Sequence, residues 1–305
     1  MVVTRTRTAR RLPTDPVDRQ LAGTIASARP REDAVMNVPG HLVLKEDTHR
    51  RIVRVGDTVR RPMYPWSSSV HLLLRHLESV DFPHSPRFLG IDAEGREVLS
   101  FVEGISGGDG YVEGIESGAH AWAMVVPSAG LARFARLLRD YHDAVARFRP
   151  PEDSPWSAGL GPPGRGQVLC HGDFGPWNVV WSPAGEPLVI IDWDYAAPGT
   201  PIEDVAYALE WSVPFCPDEE CLKWRRFDAP PDRASRLEMF ATAYGLSSTK
   251  GLVDAVIRRQ RDFKVMVQTL GARGIQPAAD ELTNGYLDVV DERIRWSEDH
   301  RLLLE

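Results

Sequence analysis

The stretch Val168-Leu169-Cys170-His171-Gly172-Asp173-Phe174-Gly175-Pro176-Trp177-Asn178-Val179-Val180-Trp181 is followed, after Ser182-Pro183-Ala184-Gly185-Glu186, by Pro187-Leu188-Val189-Ile190-Ile191-Asp192-Trp193-Asp194. Two apolar, β-branched runs around a Pro/Gly turn predict an antiparallel hairpin. With the turn centred near Gly185, the numbers of facing residues sum to about 370, which sets Asn178 opposite Asp192. An amide oxygen and a carboxylate at one end of a hairpin suit Mg²⁺, which takes oxygen ligands and leaves positions for phosphate. Asp173 stands five residues before Asn178. A tight loop with Gly172, Gly175 and Pro176 can project it beside such a metal without ligating it, where it could take a hydroxyl proton and aim the oxygen at phosphorus. His171 and Asp173 also suggest a hydrolytic metal site, but the chain shows no His or Cys cluster to complete one.

Upstream of this block the pattern is that of a small sheet. His41 to Leu44, Arg51 to Val55 and Asp57 to Arg61 read as an antiparallel meander with a tight Gly56-Asp57 turn. Ser67-Ser68-Ser69 can then cap a helix whose apolar residues Val70, Leu73, Leu74 and Leu77 recur at helical spacing. Two more strands, Arg87 to Leu89 and Glu97 to Val102, flank an Ala93-Glu94-Gly95 turn. Beyond the glycine-rich passage Ser106 to Gly110, which reads as a hinge or lid, helices dominate. Leu131, Phe134, Leu138, Tyr141 and Val145 form one stripe, and Leu237, Phe240, Ala241 and Tyr244 another. A Pro-rich loop, Arg149 to Gly164, leads into the hairpin. After it, Thr200-Pro201-Ile202-Glu203 reads as a capping box with Pro at the first helical position.

His-Gly-Asp-x-x-x-x-Asn, a hairpin and then Ile-Asp together resemble the aminoglycoside phosphotransferase and choline kinase superfamily, kin to protein kinases. The resemblance implies an α+β, two-lobed protein-kinase-like fold, with a small β-rich N-terminal lobe and a larger, mainly helical C-terminal lobe. On this division 1–31 is a flexible tail, 32–104 the nucleotide-binding lobe and 105–305 the catalytic and substrate lobe. It also implies ATP, with GTP left open, and Mg²⁺ as cofactors. Asp173 is then the catalytic base, Asn178 and Asp192 the metal ligands, and His171 a support of the loop. Asp204 is a second support candidate, or a first-turn acid that favours the helix dipole. Asp194 either touches metal or caps a turn. For the phosphate-contacting cation the chain offers Arg60 and Arg61, of which strand alternation sends only one inward; likeness to members with an Arg-Arg-Pro ending favours Arg60. The family's helix glutamate has no evident counterpart, since Val70 and His71 stand where it is sought and Glu78 comes late. Gly40 is the lone glycine near the first strand and reads as an ordinary turn glycine rather than a phosphate loop. Phe101, Val102 and Glu103, leading into Gly104, would contact adenine through their backbone.

Composition narrows the classes. The chain has 305 residues, 43% of them hydrophobic, and a net charge of −7, which argues against a nucleic-acid binder with a basic face. No apolar run approaches the ~20 residues that span a bilayer, and the N-terminus lacks the apolar centre of a signal peptide, so a cytoplasmic protein without membrane partners is expected. Cys170, Cys216 and Cys221 fit neither a disulfide framework nor a CxxC pair and read as ordinary thiols. The expected partner is a small molecule bearing a hydroxyl, an antibiotic among the candidates. Asp218-Glu219-Glu220 and the acidic C-terminal helices could furnish an acidic acceptor pocket or a solvated surface. A catalytically weak nucleotide-binding or immunity-type protein of the same fold is the alternative. Nothing in the sequence sets the oligomeric state.

Overall fold

The computed structural model describes residues 41–46, 49–107 and 119–304. The tail expected over 1–31, Gly40 and the glycine-rich passage beyond Gly107 lie outside them. The sheet forms as its turns dictate. Gly56 takes φ +59° between β2 (Arg51–Val55) and β3 (Thr58–Arg61), so Val55 pairs directly with Thr58. With β1 (His41–Glu46), β4 (Phe88–Ile91) and β5 (Glu97–Ser100), these strands make a five-stranded antiparallel sheet in the order β1-β2-β3-β5-β4.

On one face of this sheet lies helix α1 (Ser67–Ser79), with Val70, Leu73, Leu74 and Leu77 buried. The three serines do not cap it; Trp66 is the N-cap residue and the serines form the first turn, Ser67 Oγ accepting from Tyr64 N–H at 2.8 Å. Pleating puts β3 residues Val59 and Arg61 on the helix side with β5 residues Leu99 and Glu97, which are their cross-strand partners.

The chain leaves the sheet after Ser100 and at Ile105 exchanges two 2.8 Å backbone hydrogen bonds with Trp181. From there the structure is mainly helical. Helix α2 (Ala119–Val125) leads to α3 (Ser128–Val145), which packs against α6 (Arg233–Tyr244). The stripes read from sequence are the two apolar faces that meet, all five α3 residues being fully buried. Short strands β6 (Val168–Cys170) and β9 (Ala197–Gly199) pair, as do β7 (Val179–Trp181) and β8 (Pro187–Ile190). Helices α4 (Pro201–Ser212), α5 (Asp218–Trp224), α7 (Leu252–Ala272), α8 (Ala278–Glu281), α9 (Tyr286–Asp299) and α10 (Arg301–Leu304) complete the lobe. Among the described residues no helix is long and apolar enough to cross a membrane.

The β7–β8 hairpin pairs Val179 with Ile190 and Val180 with Val189, and the backbone oxygen of Asn178 accepts from Ile191 N–H at 2.8 Å. Asn178 therefore faces Ile191, one residue short of the expected Asp192. An irregularity between Val180 and Trp181 shifts the register, and Asp192 itself turns into a left-handed conformation, φ 62° and ψ 64°.

Phe134 of α3 is fully buried and stacks on Phe174 of the 171–178 loop with ring centroids 4.6 Å apart. Phe134→Ala is expected to cost about 3–5 kcal/mol. Denaturant unfolding of the variant against wild type measures this, and a loss under about 1 kcal/mol would mean the loop does not lean on α3.

Candidate active site

The loop after β6 is shaped by what its backbone must bond to. Gly172 adopts φ +80°, and a Cβ there would collide with the backbone oxygen of Tyr195, so the position excludes any side chain. His171 is fully buried. Its Nδ1 accepts from Asp173 N–H at 3.2 Å, which leaves Nε2 to carry the proton and donate to Ile191 O at 3.0 Å. Burial holds its pKa below the usual range, in keeping with this neutral form. One imidazole thus ties the Asp173 loop to the hairpin end that carries Asp192.

Asp204 supplies the second tie. The Thr200/Glu203 capping box is formed, with Thr200 N–H donating to Glu203 Oε1 at 2.8 Å, and it starts α4 so that Asp204 points back into the protein. Its carboxylate accepts from His171 N–H at 2.7 Å and Gly172 N–H at 2.8 Å, and lies 3.0 Å from His142 Nε2. At 1% exposure it is no solvated helix-start acid. Burial pushes its pKa up, but His142 and the loop's N–H groups outweigh that and hold it below the ordinary value.

Asp173 is held from two sides. Tyr207 O–H, three residues beyond Asp204 on α4, donates to Oδ1, and Asn178 Nδ2 donates to Oδ2 at 2.8 Å and to the Asp173 backbone oxygen at 2.9 Å. Burial pushes the Asp173 carboxyl up to about 7, Asp192 adding to the effect and the two donors opposing it. Arg259 of α7 donates to Gly172 O at 2.6 Å and lies over the Tyr207 ring at 5.0 Å. Neither Tyr207 nor Arg259 was marked by the sequence motif. For Tyr207 the signal was its i, i+3 spacing from Asp204, which puts both on one helix face.

On the other side of the loop, Asn178 spends Nδ2 on Asp173, which leaves its side-chain oxygen for a cation. Asp192 presents a carboxylate that is 35% exposed. This all-oxygen set fits Mg²⁺. The sheet contributes the facing positive charge. Arg61 donates to Asp192 Oδ1 at 3.1 Å and to Asp194 Oδ1 at 2.7 Å, and Arg50 to Asp194 Oδ2 at 3.2 Å. Burial raises the Asp192 pKa less than Arg61 and Arg50 depress it, so the group stays ionised. Asp194 also accepts from Trp66 Nε1 at its backbone oxygen, 2.7 Å, so it joins the lobes rather than capping a turn alone.

The preference for Arg60 is corrected by this geometry. Arg60 points to the opposite face of β3, with Nε 3.7 Å from Asp92, while Arg61 is the inward residue. Arg61 also bonds through Nε to Glu97 of β5, whose other oxygen lies 2.7 Å from His71 Nε2. Glu78 is at the surface beside Arg87, 3.4 Å away. Phe101, Val102 and Glu103 run between the lobes; the Arg54 guanidinium lies 3.8 Å from the Phe101 ring centre and 3.0 Å from Glu103. Of the acids considered for an acceptor pocket, Asp218 pairs with Arg233 at 2.8 Å and Glu220 with Arg225, while Glu219 is exposed. Cys170, Cys216 and Cys221 are buried free thiols. Among the described residues no group of three or more His, Cys, Asp and Glu side chains could hold a metal ion, so the hydrolytic alternative gains no ligand cluster.

The model of a family described as the phosphotransferase enzyme family matches residues 156–245, which include the loop, the hairpin and Asp204. The trifolitoxin immunity protein of Rhizobium leguminosarum bv. trifolii is 36% identical over 212 residues, 68% of this chain and 75% of that protein. The chain belongs to the phosphotransferase enzyme family. Solved structures with the same fold include a choline/ethanolamine kinase family protein from Mesorhizobium loti, 17% identical over 95% of each chain with a TM-score of 0.53. An ethanolamine kinase from Plasmodium vivax is 12% identical, covering 84% of this chain and 81% of that one, TM-score 0.51. An aminoglycoside 2'-phosphotransferase in complex with GDP is 13% identical, covering 88% and 95%, TM-score 0.51. The two-lobed, protein-kinase-like α+β architecture is common to these phosphotransferases and to this chain.

Because the Asp204 pKa is lower folded than unfolded, the stability it contributes is present above the ordinary value of 3.8 and is lost as pH falls below it. Asp204→Asn is expected to destabilise the protein by about 3–5 kcal/mol at neutral pH, through the loss of a buried charged acceptor, and to flatten the acid limb of the stability–pH curve. Denaturant titrations between neutral pH and pH 3 test both; an unchanged acid limb would place the acid-sensitive group elsewhere.

Proposed function

We propose that the protein transfers the γ-phosphate of a nucleoside triphosphate, ATP with GTP left open, to a hydroxyl of a small molecule, with Asp173 as general base and Asn178 and Asp192 as magnesium ligands. The observation that carries this reading is the placement of Asp173. Its carboxylate is oriented by Tyr207 and Asn178, and Asn178, having spent its amide nitrogen there, keeps a side-chain oxygen for a cation. When bound, Mg²⁺ supplies charge neutralisation to the phosphates. Asp173, with a pKa pushed up to about 7, is basic enough to receive the acceptor's proton as the new bond to phosphorus forms. Tyr207 on one carboxylate oxygen and Asn178 on the other fix its plane and limit the motion that would misalign it. Arg61, already engaged with Asp192, lies within reach of phosphate oxygens that approach the same carboxylate.

Candidate acceptors follow the family: aminoglycosides, since a solved relative in fold is a GDP and kanamycin complex, and small amino alcohols, since others are choline or ethanolamine kinases. Asp218 and Glu220 already carry arginine partners, which weakens that segment as an acidic pocket for a polycationic antibiotic. A second reading is a nucleotide-binding immunity protein with little turnover, favoured by the relative named a trifolitoxin immunity protein.

ADP release and product mass, followed over a panel of hydroxyl acceptors with ATP and Mg²⁺, separate the two readings. Asp173→Asn is expected to lose about 10²–10⁴-fold in kcat while retaining nucleotide affinity. Full activity of that variant would remove Asp173 as the base, and nucleotide binding with no product on a broad panel would favour the immunity reading.

A further inference from the structure

We propose that Glu97 and His71 are positioning residues for Arg61: Glu97 is the anion that Arg61 keeps when Asp192 turns to a metal, and His71 fastens that pair to helix α1. The role toward nucleotide rests on the phosphotransfer reading given above. Arg61 and Glu97 are directly opposite on β3 and β5, so strand pairing alone aligns them. The Glu97 carboxylate is fully committed. One oxygen accepts from Arg61 Nε and the other meets His71 Nε2 at 2.7 Å, which fixes its plane. The His71 ring is in turn stacked on Phe88 of β4, centroids 3.7 Å apart and 13° from parallel. A single buried histidine thereby occupies the place on α1 where a helix acid would be sought, and it reaches the cation through a strand acid.

The partners of Arg61 differ in what can reach them. Glu97 is 1% exposed, whereas the Asp192 side chain is 35% exposed and lies at the end of the hairpin beside Asn178. Asp192 can exchange its guanidinium for a cation from solvent; Glu97 cannot. While Glu97 holds Nε and Asp194 holds Nη2, Nη1 can leave Asp192 and turn to a phosphate without stranding a buried charge. With Glu97 neutralised, only Asp192 and Asp194 balance Arg61, and the guanidinium is drawn onto the carboxylate that the metal needs.

Glu97→Gln keeps the shape and removes the charge. In ¹⁵N NMR spectra of the ligand-free protein, the Arg61 Nε–H signal is expected to be slowly exchanging in wild type and to lose that protection in Glu97→Gln. In calorimetric titrations with ADP and Mg²⁺, Glu97→Gln is expected to bind about 10- to 100-fold more weakly. Arg61→Met with Glu97→Gln should then bind no more weakly than Arg61→Met alone, because Glu97 acts through Arg61. His71→Gln, a milder change, should move affinity in the same direction by less. Additive losses in the double variant, or a Glu97→Gln protein with a lower melting temperature but wild-type affinity and a protected Arg61 Nε–H, would overturn the proposal. Should wild type take up no nucleotide, the phosphotransfer reading fails, and the Arg61 Nε–H comparison decides the positioning role by itself.

Discussion

The site depends on the carboxylate of Asp204, which accepts the backbone N–H groups of both His171 and Gly172. A loop that buries its backbone must place every N–H on an acceptor or lose stability, and this loop does so on a side chain from the next helix. That one constraint sets where β6 ends and, with glycine at 172 closing against the Tyr195 backbone, fixes the direction in which Asp173 leaves the chain. The capping box at Thr200 and Glu203 sets the start of α4, and so aims both Asp204 and, one turn later, Tyr207. A single helix therefore holds the loop and orients the carboxylate that the loop presents.

The second organising element is electrostatic and joins the lobes. Asp192, part-exposed, and Asp194, buried, are two acids from the large lobe, and the charges that keep them compatible come from the sheet: Arg61 on β3 and Arg50 just before β2. Trp66 adds a neutral hydrogen bond to the same segment. Tyr64 O–H donates to Gln276 O at 2.9 Å and His49 meets Asp280 at 2.8 Å, which extends the contact to the α7–α8 connection. On the proposed reading, a cation bound beside Asp192 would redistribute the Arg61 bonds, so the lobe interface and the proposed metal site share side chains.

Much of this was legible before any coordinates. Binary patterning gave the meander, helix α1 and the meeting faces of α3 and α6, because burial enforces those periods. Hairpin arithmetic brought Asn178 to within one residue of its true partner. It missed the irregularity at Val180 and Trp181 and the left-handed turn at Asp192, neither of which composition announces. The choice between Arg60 and Arg61 turned on strand phase: Val59 marks the inward face, so Arg61 shares it. Glu97 was overlooked because an acid was sought on the helix, although the β3–β5 pairing puts it opposite Arg61. Arg50 and Arg259 come from a loop and a distant helix, and no local pattern connects them to the motif.

The most direct test of the account is the position of a bound metal. Crystals grown with a non-hydrolysable ATP analogue and Mn²⁺ in place of Mg²⁺ locate the cation by its anomalous scattering. The account predicts a peak within ligating distance of the Asn178 side-chain oxygen and an Asp192 carboxylate oxygen, with Asp173 outside the coordination sphere and Arg61 turned from Asp192 toward phosphate. A peak ligated by Asp173, or none at the hairpin end with nucleotide bound, would contradict it.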